Sequence, residues 1–268
     1  MDAILDARGL FKSFGAVSAA KDIHAAIARD SVVGLIGTNG AGKTTFINMI
    51  TGFLKPDAGT IHFEGRDITG LEPRTIARLG ICRSFQIPQL YNSLTVYENM
   101  MVGLGVMLQN AGRGGFLAGG TPHVPGFDAP AEAVADTLLG RFGLDAYRDR
   151  RAQILPGGVR KLLDIAMTMV AKPRVLLLDE PTSGVSAEEK FGIMDMVMAA
   201  VRAEGATVLF VEHDMEVVSR FSERVLAFYD GRVIADAPPE VALADPDVKR
   251  YVVGGELHRK DRGEAGRA

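Results

Sequence analysis

The stretch Gly37-Thr38-Asn39-Gly40-Ala41-Gly42-Lys43-Thr44 has the spacing G-x-x-x-x-G-K-[ST], and each residue type in it answers a requirement of polyphosphate binding. Glycines let the backbone curl until successive N–H groups aim at phosphate oxygens. The N-terminus of the helix that follows adds a favourable dipole, Lys43 is expected to reach the β- and γ-phosphates, and the Thr44 hydroxyl suits Mg2+. The loop stands between the apolar run Ser31–Ile36 and a helical pattern over Lys43–Thr51, the context such a loop needs. Asn39, Gly40, Ala41, Gly42, Lys43, Thr44 and Thr45 are therefore the expected contacts to a nucleoside triphosphate.

A second chemical signal is Val175-Leu176-Leu177-Leu178-Asp179-Glu180, an apolar run that ends in two carboxylates. In a parallel sheet, ligands bind at the C-terminal ends of the strands. Asp179 is expected in the shell of Mg2+, and Glu180 is expected to orient or deprotonate an attacking water. His213 follows the next apolar run, T-V-L-F-V-E-H-D. Its strand end should lie beside the acidic one, within reach of a γ-phosphate. His24, His62, His123 and His258 show no metal-ligand spacing and read as structural or solvated. The stretch L-P-G-G-V-R-K-L-L-D-I-A, residues 155–166, sets a proline and two glycines before a helical pattern. Alone, it fits either a loop that starts a helix or a site for something negative.

These residues need a framework to hold them. Residues 3–28 alternate loosely between apolar and polar around a turn at Phe14-Gly15 and read as antiparallel strands. A strand is expected near Thr60–Phe63, after K-P-D-A-G. Residues 87–151 turn helical and irregular, and 103–130 read as a Gly/Pro-rich loop or mobile insertion. A helix is expected after residue 158, then a strand at Val175–Leu178, a helix from about Ala187 to Ala203, a strand at Thr207–Val211 and a helix at Met215–Phe221. Apolar strands alternating with helices give an α/β fold with a parallel sheet covered on both faces. Residues 255–268 form a polar tail, expected to be disordered.

Composition narrows the setting. The single cysteine, Cys82, excludes an internal disulfide and fits a reducing compartment. No signal peptide is expected at the start, and no apolar run approaches a membrane span. A net charge of −3 gives no electrostatic case for nucleic acid. With 47% hydrophobic residues and a mean hydropathy of +0.12, leftover apolar surface and a docking partner are expected.

In order along the chain, these motifs resemble an ATP-binding-cassette (ABC) ATPase. The resemblance covers about residues 4–254. It is closest to the ATP-binding subunits of branched-chain amino acid importers, through N-G-A-G-K-T-T-F-I-N-M-I-T-G, R-S-F-Q, L-T-V-Y-E-N-M, V-E-H-D-M and Y-V-V-G. It implies a P-loop NTPase core (1–86 and 167–254) with a parallel sheet and an N-terminal antiparallel β subdomain. Inserted into this core is a helical subdomain (87–166). It also implies that Gln86 joins Thr44 and Asp179 around Mg2+, that Phe14 stacks on adenine, and that Glu180, His213 and Gln86 serve hydrolysis. Pro156, Gly157 and Gly158 then occupy the signature position, facing ATP held by a second cassette subunit. The implied partners are that second subunit, transmembrane permease subunits with Leu90 and Tyr91 in the docking groove, and indirectly a periplasmic or extracellular solute-binding protein. The implied location is the cytoplasmic face of the membrane.

Two departures stand out. The family's usual L-S-G-G-Q is here Leu155-Pro156-Gly157-Gly158-Val159, and Ser183-Gly184-Val185-Ser186 ends in serine where aspartate or asparagine is common. Two rival functions share the phosphate loop. One is a soluble cassette ATPase acting on nucleic acid or ribosomes; the other is a nucleotide-binding scaffold with little hydrolysis.

Overall fold

The computed structural model describes residues 3–84, 86–110, 123–127 and 129–254. The chain opens with strands β1 (Ala3–Phe14), β2 (Val17–Ala28) and β3 (Val32–Gly37), helix α1 (Lys43–Ile50), strands β4 (Ala58–Phe63) and β5 (Arg66–Asp67), and helix α2 (Pro73–Leu79). Strand β6 (Ile81–Ser84) and helix α3 (Val96–Asn110) lead to the short pair β7 (His123–Val124) and β8 (Ala129–Pro130). Then come α4 (Ala131–Arg141), α5 (Gly157–Met169), β9 (Val175–Asp179), α6 (Lys190–Ala203), β10 (Thr207–Val211) and α7 (Met215–Phe221). The chain closes through β11 (Arg224–Tyr229), β12 (Arg232–Ala237), α8 (Pro239–Ala244) and α9 (Pro246–Val248). Two compact units result: residues through Ile81 with those from Thr207 onward, and Cys82–Ala206.

The first unit holds two sheets. One is antiparallel in the order β2-β1-β4-β5, with Leu5, Leu10, Ile23, Ile27 and Ile61 buried in it. In the other, β3 pairs in parallel with both β10 and β11, and β12 adds antiparallel to β11. Every residue of β3 and β10 is buried, which explains why both read as continuous apolar runs. Strand β3 starts one residue later than expected because the Ser31 hydroxyl donates to Ala28 O at 2.7 Å, closing a turn. Phe46 of α1 meets Phe228 of β11 at a ring-centroid distance of 5.6 Å, tilted by 39°. Sequence reasoning missed β11 and β12, although Asp230-Gly231 between them is a strong hairpin signal. Both turn residues have positive φ, 47° and 76°.

In the second unit β6 neighbours β9, and helices α3 to α6 pack together. Helix α3 corrects the expected loop over 103–130, since residues 103–110 continue the helix. Val96, Met100, Leu104 and Leu108 are all buried at four-residue spacing, so one apolar face overrides Gly103 and Gly105. Residues 111–122 and 128, and the 255–268 tail, lie outside the described residues. Helix α3 starts in a capping box: Thr95 N donates to Glu98 Oε2 at 2.7 Å, and Glu98 N donates to Thr95 Oγ1 at 3.1 Å. The fully buried Asn99 accepts from Tyr91 N at 2.8 Å and donates to Tyr91 O at 3.2 Å and Thr95 O at 2.8 Å. Helix α6 begins at Lys190 instead of Ala187, because residues 186–189 form a capping turn first. Ser186 Oγ donates to Glu189 Oε2 at 2.7 Å.

Cys82 is buried on β6, and burial pushes its thiol up to about 11. At pH 8 its thiolate fraction is about one part in a thousand. An aromatic disulfide reagent should therefore leave the folded chain unmodified over an hour at pH 8 and react with one thiol per chain in denaturant. Rapid modification of the native chain would contradict this burial.

Candidate active site

In the first unit, residues 38–42 carry the chain from β3 into α1. Gly42, the N-cap of α1, has φ 109°. A Cβ there would stand 2.9 Å from Ala19 O and 3.2 Å from Gly231 Cα, so both backbone conformation and crowding demand glycine. The turn behind the loop fixes it: Gly231 N donates to Ala41 O at 2.9 Å, and Lys21 N donates to Gly231 O at 2.8 Å. Lys21 also pairs with Asp230 at 2.7 Å.

Lys43 is 6% exposed, and its ammonium donates to Gly37 O at 2.5 Å and Thr38 O at 3.1 Å. These carbonyls offset the cost of burying the charge. Asn39, Gly40 and Thr44 are exposed, Thr45 is half-buried and Ala41 is buried. No side chain caps α1, leaving its N-terminal end to an outside acceptor.

Phe14, at the end of β1, is 53% exposed. Lys12 Nζ lies 5.9 Å from its ring centroid and also pairs with Asp57 at 2.6 Å. The Lys12 hydrogen bond, joined by Ser13 N–H, holds the Asp57 carboxyl below the usual carboxylate range. His213 follows β10, half-buried, and its N–H donates to Glu212 Oε2 at 3.2 Å. His24 bonds Asp22 at 3.0 Å and accepts from Gly9 N at 3.3 Å, in keeping with a structural role.

In the second unit both carboxylates at the end of β9 have partners. Arg83 on β6 meets Asp179 Oδ2 at 2.5 Å. Gln86 Nε2 donates to Glu180 Oε2 at 2.7 Å. Glu180 has φ 48°, a left-handed conformation that costs a side-chain-bearing residue about 1–2 kcal/mol. Lys161 of α5, 3% exposed, donates to Gln86 O at 2.6 Å and Asp179 O at 3.3 Å. Asp164, one turn further on, accepts from Gln89 N at 2.9 Å. Arg83, Gln86 and Gln89, the end of β9 and α5 thus form one polar cluster.

Sequence reasoning named Gln86, Asp179 and Glu180 but missed Arg83, Lys161 and Asp164. The signal was legible in α5, where Lys161 and Asp164 stand among Leu162, Leu163, Ile165 and Ala166, all buried. Charges on a buried helix face require partners.

The signature stretch starts α5, with Pro156 as N-cap and no side-chain cap. Gly157 is exposed, and a Cβ there would meet only Gly184 O, at 3.3 Å. A Cβ on Gly158 would stand 2.6 Å from Ile193 Cδ1 of α6. The second glycine therefore serves α5–α6 packing as well as any ligand. Ser186, the departure downstream, spends its hydroxyl on Glu189.

The residues fit the groups their motifs imply. The curled loop before an uncapped helix suits phosphate. Thr44 in the first unit, and Asp179 and Gln86 in the second, each carry a hard oxygen donor of the type that suits Mg2+. Among the described residues no three His, Cys, Asp or Glu side chains cluster to hold a metal.

Comparison with known proteins agrees. The family described as ABC transporter matches residues 20–183. The high-affinity branched-chain amino acid transport ATP-binding protein LivG of Salmonella typhimurium is 36% identical over 254 residues, covering 94% of this chain and 98% of that protein. The chain belongs to the ABC transporter family. The high-affinity branched-chain amino acid transport ATP-binding protein BraF of Pseudomonas aeruginosa is 34% identical over 253 residues, covering 94% of this chain and 98% of that protein. The crystal structure of an ATP-binding cassette of an ABC transporter in its ADP conformation superposes with a TM-score of 0.79. That pair is 30% identical and covers 94% of this chain and 98% of the other.

As a member of this family, the chain is an ATP-binding subunit that hydrolyses ATP to drive transport. The cassette fold carries its parallel and antiparallel sheets as expected. Relatives that match over their full length are transport proteins, which leaves the nucleic-acid reading without support. Among the described residues no helix is long and apolar enough to cross a membrane.

Gly42→Ala should destabilise this cassette by at least about 2 kcal/mol, adding left-handed strain to a backbone clash. Urea unfolding followed by circular dichroism measures it. A change below 0.5 kcal/mol (about the noise of surface substitutions) would show that the loop relaxes easily.

Proposed function

We propose that this chain is the ATP-hydrolysing subunit of a membrane importer for branched-chain or related hydrophobic amino acids. The observation that carries the cargo class is the end-to-end similarity to branched-chain amino acid transport ATP-binding proteins, covering 94% of this chain and 98% of LivG. In this reading residues 1–254 form one cassette with the helical subdomain at 87–166. Permease subunits hold it at the cytoplasmic face, and a solute-binding protein delivers cargo outside.

Lys43 and the loop N–H groups bind the phosphates, and Phe14 stacks on adenine, as its exposure permits. Thr44, Gln86 and Asp179 would hold Mg2+, which neutralises charge on the β- and γ-oxygens when bound. Glu180 orients and deprotonates the attacking water, and His213 contacts the γ-phosphate. In the structure Gln86 engages Glu180, so releasing that hydrogen bond frees the carboxylate for water. A second cassette closes over the nucleotide through Gly157 and Gly158, whose N–H groups point along the start of α5. ATP drives closure because it binds the closed state more tightly than the open one.

Pro156 brings neither a hydroxyl nor an N–H, so this signature relies on the glycine N–H groups. That favours pairing with a different cassette whose signature serves this chain's ATP. Light scattering of Glu180→Gln with and without Mg-ATP tests the point. A dimer formed by this chain alone shows a competent symmetric signature; a monomer with ATP bound shows the need for a different partner.

Two further outcomes are expected. In the complex with permease, Glu180→Gln should lower ATP turnover about a hundredfold or more while leaving ATP affinity within about threefold; near-normal phosphate release would remove Glu180 from the chemistry. Gly157→Ala should lower the melting temperature by no more than about 5 °C, since its Cβ makes a single tight contact, 3.3 Å from Gly184 O, at the exposed start of α5. It should nevertheless abolish ATP-driven association. A variant that still associates would show that the exposed glycine is not facing nucleotide.

A further inference from the structure

We propose that Arg83 is a positioning residue for the metal-ligating carboxylate and sets which divalent cation the site accepts. The inference rests on the reading of Asp179 as a Mg2+ ligand. Arg83 lies on β6, three residues before Gln86. Its guanidinium meets Asp179 Oδ2 at 2.5 Å, with the two side chains 10% and 15% exposed. Lys161 reaches the same segment but engages the backbone carbonyls of Gln86 and Asp179. Arg83 engages the carboxylate itself.

Two consequences follow. An oxygen that already accepts from guanidinium is a poorer second ligand atom, so Asp179 presents Oδ1 as its better donor. A single carboxylate oxygen suits the tight octahedron of Mg2+, whereas Ca2+ takes more ligands and readily uses both oxygens. The guanidinium is also a permanent charge that shares the carboxylate with any incoming cation. It lowers affinity for every divalent ion and keeps a nearly buried carboxylate from standing without a counter-charge when no ion is bound. Arg83 thus makes metal binding selective at a cost in strength, and lets the ion leave with product.

The test is binding without turnover. The full-length chain is titrated with Mg2+ or Ca2+ while bound trinitrophenyl-ATP is followed by fluorescence, for wild type, Arg83→Gln, Arg83→Lys and Asp179→Asn. In Arg83→Gln the half-saturating Mg2+ should fall about tenfold, the scale of one nearby charge. The Ca2+ value should fall further, shrinking the preference for Mg2+, and binding in EDTA should not change. Arg83→Lys, which keeps the cation, should return the Mg2+ value to within about threefold of wild type.

The proposal is overturned if Arg83→Gln melts like wild type and keeps both metal curves, or if its binding in EDTA falls as much as its binding with metal. Wild type gives a reading that needs no variant: Ca2+ should support nucleotide binding about tenfold more weakly than Mg2+, and equal support overturns the idea. Asp179→Asn separates the two levels. Lost metal dependence there with a silent Arg83→Gln removes only the role of Arg83. An Asp179→Asn chain with normal metal dependence removes the underlying assignment and the proposal with it.

Discussion

Two carboxylates at the end of an almost wholly buried strand require partners, and much of the second unit is arranged to supply them. Strand β9 is buried from Val175 to Leu178 and gives way to Asp179 and Glu180, where desolvation without pairing would be costly. A single segment answers both acids, Arg83 for Asp179 and Gln86 for Glu180. Helix α5 then secures that segment by placing Lys161 and Asp164 on its buried face. The same helix begins at the signature glycines. The acids and the segment carrying Arg83 and Gln86 therefore share one polar cluster, anchored to the helix that begins at the signature, so moving that helix has to rearrange the cluster's hydrogen bonds.

Glycine is used at the phosphate loop and the signature for different reasons. Gly42 is required by conformation and by the backbone packed behind it. Gly158 lets α5 approach Ile193 of α6. Gly157 is exposed, and a Cβ there would make one tight contact, 3.3 Å from Gly184 O, so packing asks less for a glycine there than at Gly158. A surface that must come close to another molecule's phosphate gives a further reason. The departures at Pro156 and Val159 flank this position without touching the feature that matters most to it, the bare N-terminus of α5.

The buried strands β3, β9 and β10 were legible because burial makes a strand a plain apolar run. The phosphate loop and strand-end acids were legible because their chemistry fixes residue type and spacing together. What escaped was set by tertiary context. The start of the 103–130 stretch looked like a loop from its glycines, yet the four-residue ladder from Val96 to Leu108 makes it helix. Strand β6 is only four residues long and carries Arg83, so no period marked it as a strand. Arg83 itself was invisible as a partner because the pairing with Asp179 spans 96 positions in sequence. Lys161 and Asp164 could have been flagged as charges on an apolar helix face, but not joined to residues 86 and 89.

The high apolar content has a local answer as well. Ile87, Tyr91 and Ile154 of the second unit are 74%, 52% and 66% exposed, yet the loops that carry them are not loose. Asn99 grips both backbone groups of Tyr91. Gln153 N donates to Asn92 O at 3.1 Å, Ala152 N donates to Leu94 O at 2.9 Å, and Arg160 of α5 joins Asn92 at 2.9 Å while also reaching Ala152 O. The backbone under these exposed apolar side chains is already ordered by its hydrogen bonds, which lowers the backbone part of the entropy that docking costs. A permease segment seated there would press on loops bonded to the residue three places after Gly157. Force could then pass between the membrane partner and the start of α5 through Arg160, without any need for the phosphate loop to move.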